Sequence, residues 1–338
     1  MKILITNLNV GSGIEYVGDK IINWVKETNN DIIEYKHQTC VSHFTDELIK
    51  VNPDIIIINE YFPRIIEPVF YYKKYNPQVK VLFFPHSWKM LWDMPEDEKN
   101  YLTQRMIYLF VNYTCDEILC LSKKYIPEMT YIRGIGSKLK ELYMPVSSEE
   151  YKIITPWKDR KKLFGSFSNP SETRLSQKFI DKIKNTDLQI DIYSSESEND
   201  RIKDISNFNK YPKIKQENMP KILNEYKFFV LPHNNEEVFF ITLLQSIMCG
   251  TIPLVVNNRN SKTFDPRWID WAEGLYFGTS TVEPFIENLK LFTKDKLDLT
   301  SVSNHISQTA QKRFDENIIK NEVLVFSLLL QGLQYTLF

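Results

Sequence analysis

Between Tyr226 and Val256 the chain spells out one complete supersecondary unit. A short apolar run, Phe228 to Leu231, ends in a polar loop that carries Glu236 and Glu237. A helical segment follows from about Phe240 to Met248, stops at Cys249-Gly250, and a second apolar run opens at Ile252. Strand, loop, helix, glycine, strand is a βαβ unit, and it commits the chain to parallel pairing. The loop at a strand's carboxyl end opens onto the ligand crevice of an open parallel sheet. The start of the following helix is a natural seat for phosphate. Two acids and a helix start in one such loop point to a nucleotide-bearing ligand.

The same rhythm runs through the rest of the chain. Lys2 to Thr6 reads as a strand, followed by a loop with Gly11-Ser12-Gly13 and an amphipathic segment from about Tyr16 to Thr28. Asp31 to Lys36 is a short strand, Phe44 to Val51 a helix, and Asp54 to Asn59 a buried strand. Continuous apolar runs of this kind fit a sheet covered on both faces. Val79 to Phe84 is another and ends at Pro85-His86-Ser87-Trp88. A helix is expected over Pro95 to Tyr113, with Glu117 to Leu121 as the next strand. The stretch from about Tyr143 to Lys162, with Pro145, Pro156 and a charged cluster, has no periodicity and reads as a linker. The pattern then restarts. Leu163 to Ser168 is a strand, Glu172 to Lys184 a helix, and Gln189 to Tyr193 a strand. Residues 195–210 read as a polar surface loop, Met219 to Tyr226 as a short helix, and Gln308 to about Gly332 as one long helix. The expected organisation is two Rossmann-like doubly wound domains facing a cleft. They span 1–155 and 156–310, with 311–338 as a C-terminal helix packing back on the first.

Composition narrows the function classes. At 338 residues, 43% of them hydrophobic, the chain has ample material for two cores. Its 42 basic and 43 acidic residues balance, which argues against binding nucleic acid through bulk charge. Cys40, Cys115, Cys120 and Cys249 show no metal-ligand spacing and read as residues of a reducing, cytoplasmic compartment. The opening residues read as a strand rather than a signal peptide. No run of eighteen apolar residues exists, so no transmembrane segment is expected. No Asp-x-Asp pair stands at a strand end to hold Mg²⁺ against a diphosphate, so no metal and no cofactor are expected.

These residues resemble GT-B glycosyltransferases, in particular the retaining group marked by Glu, seven residues, Glu and a helix ending in Cys-Gly before proline. Glu237 falls on the first acidic position and Gln245 on the second. Cys249, Gly250 and Pro253 fall on the ending. Two departures stand out: Gln245 replaces an acid, and Val238-Phe239-Phe240 replaces a glycine-rich stretch. Gly165 to Pro170 followed by Arg174 is similar to the phosphate grip of fucosyltransferases, although the acid and lysine that family carries are missing at Leu243 and Leu244. Thr251-Ile252-Pro253 and the His86 loop resemble phage DNA α-glucosyltransferases. The resemblance is dense from about 165 to 256.

It implies a division of labour. Arg174 and Lys178, four apart on one helix face, would counter the charge that develops on a departing diphosphate. Asn169, the Phe239, Phe240, Ile241 and Thr242 positions at the helix start, and Gln245 would complete the donor site. Glu237, with Glu236 as its neighbour in register, would face the donor sugar and the anomeric carbon. His86 would reach a sugar hydroxyl or help deprotonate the acceptor. Gly11, Gly13 and Trp88 would lie on the acceptor side, with Trp92 and His233 as lesser candidates. Each has an ordinary alternative. These are a solvated basic face for the cations, dipole complementation for the acids, turn duty for the glycines and core packing for the tryptophans.

The expected activity is transfer of a sugar from a nucleotide-diphosphate sugar, with retention and without metal. The acceptor could be a glycan, a lipid-linked, a protein or a modified-DNA one. A DNA acceptor asks for a basic groove from Lys73, Lys74, Lys123, Lys124, Lys138 and Lys140. The alternative from another class is a nucleotide-sugar or glycan-binding protein without turnover.

Overall fold

The structure is a computed structural model. It describes residues 2–8, 13–27, 31–37, 43–59, 63–84, 98–120, 138–167, 170, 175–195, 200–232, 241–256, 274–294 and 297–330. The chain forms two compact units: Met1–Pro145 together with Glu316–Phe338, and Val146–Asp315. The first crossing thus falls ahead of the expected 155, and the return falls at 315–316.

The first unit is a six-stranded parallel sheet. Its strands are β1 (Lys2–Leu8), β2 (Asp31–His37), β3 (Ile55–Asn59), β4 (Lys80–Phe84), β5 (Glu117–Cys120) and β6 (Leu139–Glu141), in the order β2-β1-β3-β4-β5-β6. Every residue of β3 is buried, as its run of four isoleucines requires. The helices are α1 (Gly13–Lys26), α2 (Phe44–Val51), α3 (Pro63–Tyr75) and α4 (Glu98–Tyr113). α1 packs on β1 and β2, α2 against α3, and α3 against α4. α4 is described from Glu98, and residues 95–97 of the expected helix lie outside the described residues.

The second unit repeats the architecture with β7 (Lys162–Ser166), β8 (Ile190–Ser194), β9 (Phe208–Pro212), β10 (Tyr226–Leu231), β11 (Ile252–Val256) and β12 (Phe277–Thr279). The sheet is parallel, in the order β12-β11-β10-β7-β8-β9. Its helices are α5 (Gln177–Ile183), α6 (Met219–Leu223), α7 (Ile241–Met248), α8 (Val282–Lys294) and α9 (Thr300–Phe314). Phe164 and Phe228 stand in register on β7 and β10 and meet Trp157 and Phe292 in one aromatic cluster. α7 is packed by α9 and ends in a Schellman turn. Thr251 N–H reaches the Ser246 carbonyl, Gly250 N–H reaches that of Ile247, and Gly250 sits at φ +73°.

Three expectations change. The stretch read as a linker is packed into the second unit. Tyr151, Trp157 and Arg160 are buried, and the Arg160 guanidinium donates to the carbonyls of Thr155, Tyr226 and Cys249 and to the Thr251 hydroxyl. Burial pulls its pKa down to about 10, so it stays charged at neutral pH. The loop read over 195–210 holds the buried Ile202, Ile205 and Phe208 and leads into edge strand β9. The long terminal helix is two, α9 and α10 (Glu316–Leu330), broken at Asp315. Asp315 adopts φ −59°, ψ 140°; its carboxylate accepts the Ser148 N–H at 3.0 Å, and the residue pairs with Val146. α10 then packs on α1 in the first unit, with Lys20 bonded to Glu316 at 2.5 Å and Lys320 to Glu27.

Candidate functional site

In each sheet the strand order reverses once, and a doubly wound sheet binds its ligand outside the carboxyl ends at that reversal. In the second unit the reversal lies between β7 and β10. The segments leaving those strands are 167–176 and 232–240. Between them they carry Asn169 and Arg174 on one side, and His233, Glu236, Glu237, Phe239 and Phe240 on the other. These positions are spread over about seventy residues of sequence. Asn169, Arg174, His233, Glu236, Glu237, Phe239 and Phe240 themselves lie outside the described residues.

The described members of the donor set fall into two groups. Ile241 and Thr242 form the half-buried first turn of α7, whereas Gln245, one turn on, is 1% exposed among its buried residues. Lys178 lies in α5, which opens at Gln177 rather than near Glu172. The Ser176 side chain accepts the Phe179 N–H and caps the helix there. The expected pairing of Arg174 and Lys178 on one helical face therefore does not apply. Lys178 is 58% exposed and bonded to Glu283 of α8 at 2.9 Å. That ammonium holds the Glu283 carboxyl below its usual range.

In the first unit the reversal lies between β1 and β3. Gly11 lies on the segment after β1 and outside the described residues. Gly13 opens α1. His86, Trp88 and Trp92 follow the carboxyl end of β4, also outside the described residues. The structure adds what the sequence reading missed, a buried polar knot at this switch point. Asn59, the last residue of β3, donates from Nδ2 to Asn7 Oδ1 at 3.2 Å, and its N–H reaches the Thr6 hydroxyl at 3.2 Å. Asn7 Nδ2 donates to Asp19 of α1 at 3.0 Å and to Glu34 of β2 at 3.4 Å. Thr6, Asn7 and Asn59 are fully buried. Gly18 gives the knot its room, since a Cβ there would stand 2.2 Å from Asn7 Oδ1 and 2.5 Å from Asn59 Nδ2. The available signal was the polar residues that end two otherwise apolar strand runs, Ile5-Thr6-Asn7 and Ile58-Asn59.

The basic groove that a DNA acceptor asks for is reduced. Lys73 is paired with Asp116 at 3.0 Å and bonded to the Val79 carbonyl. Lys138 donates to the carbonyls of Val111, Asn112 and Cys115 at 3.1, 2.7 and 2.8 Å, closing the end of α4. Lys123 and Lys124 lie outside the described residues. Among the described residues no three His, Cys, Asp or Glu side chains cluster as a metal site, and no helix is long and apolar enough to cross a membrane.

No family model matches the sequence, and no curated protein matches it. Solved structures do match. The chain is similar to HepE of Anabaena, solved in complex with UDP and glucose, at a TM-score of 0.73 and 12% identity over 97% of this chain and 99% of that one. It is similar to the sucrose-phosphate synthase of Thermosynechococcus elongatus at a TM-score of 0.75 and 9% identity, over 98% and 100% of the two chains. It is similar to an α-glucosyltransferase in complex with UDP and a 13-mer DNA at a TM-score of 0.63 and 12% identity, over 96% and 99%. At such identities the likeness is one of fold: two parallel-sheet α/β units of the GT-B type, matched over nearly the whole chain.

Proposed function

We propose that the protein is a glycosyltransferase that takes its sugar from a nucleotide-diphosphate sugar, with a UDP-sugar as the expected donor. One observation carries this reading. In sequence, the donor-side candidates Asn169, Arg174, Glu237, Phe239 and Phe240 follow the two strands at which the second sheet reverses its order, the position where such folds hold ligands. The ligands bound in the similar structures, UDP, UDP-glucose and glucose, support the donor class.

In this reading the donor's diphosphate lies against Arg174, Asn169 and the amides of the 239–242 stretch, with Lys178 joining once it leaves Glu283. Glu237 faces the sugar, and Gln245 lies buried within α7. The acceptor oxygen bonds to the anomeric carbon as the bond to the β-phosphate oxygen breaks. That oxygen leaves with the electron pair, stabilised by fixed cations and amides, and the acceptor's proton passes to His86. Gly11, Gly13 and Trp88 serve the acceptor. Retention of configuration rests on the resemblance around Glu237. Metal independence rests on the scattered placement of Asp187, Asp191 and Asp200. A glycan, lipid-linked or protein acceptor fits better than DNA, because Lys73 and Lys138 are committed to internal partners.

The test is a thermal-shift screen against UDP, GDP, ADP and their sugar conjugates, with and without EDTA. A ligand at a hundred times its Kd adds about 2.7 kcal/mol of stability, which such a screen reads easily. The expected result is a shift with UDP and UDP-sugars that survives EDTA and disappears in Arg174→Ala. No shift with any nucleotide overturns the reading. Binding with no transfer to any acceptor and no donor hydrolysis favours the non-catalytic alternative.

A further inference from the structure

Strand β9 closes one edge of the second sheet. Its residues Asn209 to Pro212 are exposed, and the proline ends the strand, as an edge allows. On the inner side β8 lies in register, with Asp191 beside Asn209 and Tyr193 beside Tyr211. Side chains two apart on a strand share a face, so these four form one surface. Three rings stack across it. Ring centres of Phe167 and Tyr193 lie 5.6 Å apart and those of Tyr193 and Tyr211 5.0 Å apart, each pair at 20°. Gly165 makes room for the inner end, since a Cβ there would stand 2.7 Å from the Phe167 ring and 2.8 Å from that of Tyr226. Phe167 and Tyr193 are buried, whereas Tyr211, the outermost ring, is 37% exposed.

Polar groups flank the rings at fixed places. The Tyr226 hydroxyl donates to Asp191 Oδ2 at 2.6 Å, and Asn209 Nδ2 donates to Asp191 Oδ1 at 2.9 Å. Tyr226 is fully buried, so the carboxylate is held from beneath as well as from the side. The Lys162 ammonium donates to the Tyr193 hydroxyl at 3.4 Å and stands 5.5 Å from the Tyr211 ring centre. Tyr193 and Lys162 both come from strands inside the sheet, which leaves the exposed part of Tyr211 toward the edge.

A tyrosine ring locked from behind, beside a carboxylate–amide pair, matches a sugar ring. The C–H face of a pyranose packs on an aromatic face. Its neighbouring hydroxyls need an acceptor and a donor side by side, and Asp191 and Asn209 supply both. Because the platform is already ordered, little side-chain freedom is lost on binding. The ligand that fits is neutral. A carboxylate at the centre repels phosphate and sulfate, and the nearest cations are engaged: Lys162 pairs with Glu225 at 3.1 Å and Lys210 donates to the Lys203 carbonyl at 2.7 Å.

We propose that the β8–β9 face binds the chain of a neutral polysaccharide, with Tyr211 as the stacking platform and Asp191 and Asn209 as contacts to its hydroxyls. The site goes beyond the donor reading and does not depend on it. The full chain is run on native gels containing glycogen, dextran or galactomannan, with heparin as a polyanion for comparison. Hydrogen exchange is then followed with and without the polysaccharide that retards it most.

The wild type is expected to be retarded by at least one neutral polysaccharide and not by heparin, with slower exchange over 208–211. Tyr211→Ala should weaken the apparent Kd about tenfold, the scale of one lost aromatic contact, while Tyr211→Phe, which keeps the ring, should bind as the wild type does. Asn209→Ala, at the exposed edge, should also weaken binding and carries the test should Tyr211→Ala not fold. No retardation by any neutral polysaccharide overturns the proposal. Retardation by heparin alone overturns it in favour of an anionic ligand. Binding that survives both alanine substitutions, or that leaves exchange over 208–211 unchanged, lies elsewhere on the protein and overturns it as well.

Discussion

Buried thiols show how far single residues are set by their surroundings. Cys249 follows α7 with no exposure, and burial pushes its thiol from 9.0 up to about 12 against the opposing pull of Arg160. Burial also raises Cys115 well above its ordinary value. A raised folded-state pKa favours the protonated form. The stability it contributes is therefore present in full below pH 9 and is lost as pH climbs toward 12. Two results are expected. Iodoacetamide at about pH 8.5 should leave Cys115 and Cys249 unmodified in the native protein and label both in urea. The urea midpoint should fall from pH 8 to pH 10, with a shallower fall in Cys249→Ala. Labelling of either cysteine in the native state contradicts the burial argument. Cys115 was legible as a core residue because it sits beside an apolar strand run, whereas Cys249 was marked only as part of the Cys-Gly ending.

Arg160 joins elements that sequence patterns treat separately. It lies in a stretch without periodicity, yet one side chain satisfies carbonyls at the start of β10 and at the end of α7, the Thr251 hydroxyl before β11, and its own turn. Arg160→Ala leaves these buried acceptors without their donor. Each unsatisfied group costs about 1–3 kcal/mol, so a loss of roughly 3 kcal/mol or more is expected in equilibrium unfolding. Arg160→Lys should recover part of it. A loss below about 0.5 kcal/mol, typical of an exposed site, would show that water replaces the guanidinium. Periodicity alone cannot reveal such a residue. The linker reading failed here because a segment packed through one charged side chain and two aromatics, Tyr151 and Trp157, carries no repeating pattern.

At the scale of the whole molecule, the last described helix belongs to the first unit. α10 lies on α1 through Lys20–Glu316 and Lys320–Glu27, with Ile319 and Val323 buried. Ending the chain at Asp315 is expected to lower hydrogen-exchange protection in α1 and β1 by about tenfold or more, the equivalent of 1.4 kcal/mol. Protection in β10 and β11 should change far less. Equal loss in both units contradicts the assignment of the helix to the first. The break that makes this arrangement was invisible in the sequence. Residues 308–330 carry a continuous helical pattern, whereas the bonding of Asp315 to Ser148 and its pairing with Val146 accompany extended backbone at that residue.

By itself the sequence determined the fold class and pointed to a candidate region for the site. Short apolar runs separated by helix-length segments admit parallel pairing and little else. The βαβ unit from Tyr226 to Val256 marked a candidate ligand loop, and the structure retains the flanking strands and helix close to their expected bounds. Only tertiary structure decided which strands adjoin. That choice stacks Tyr193 on Tyr211, pairs Lys178 with Glu283, and closes the Asn7–Asn59 knot. The physical reason is range. Strand and helix patterns record burial within a few neighbouring residues, whereas strand order and side-chain partnership depend on contacts between residues tens to hundreds of positions apart.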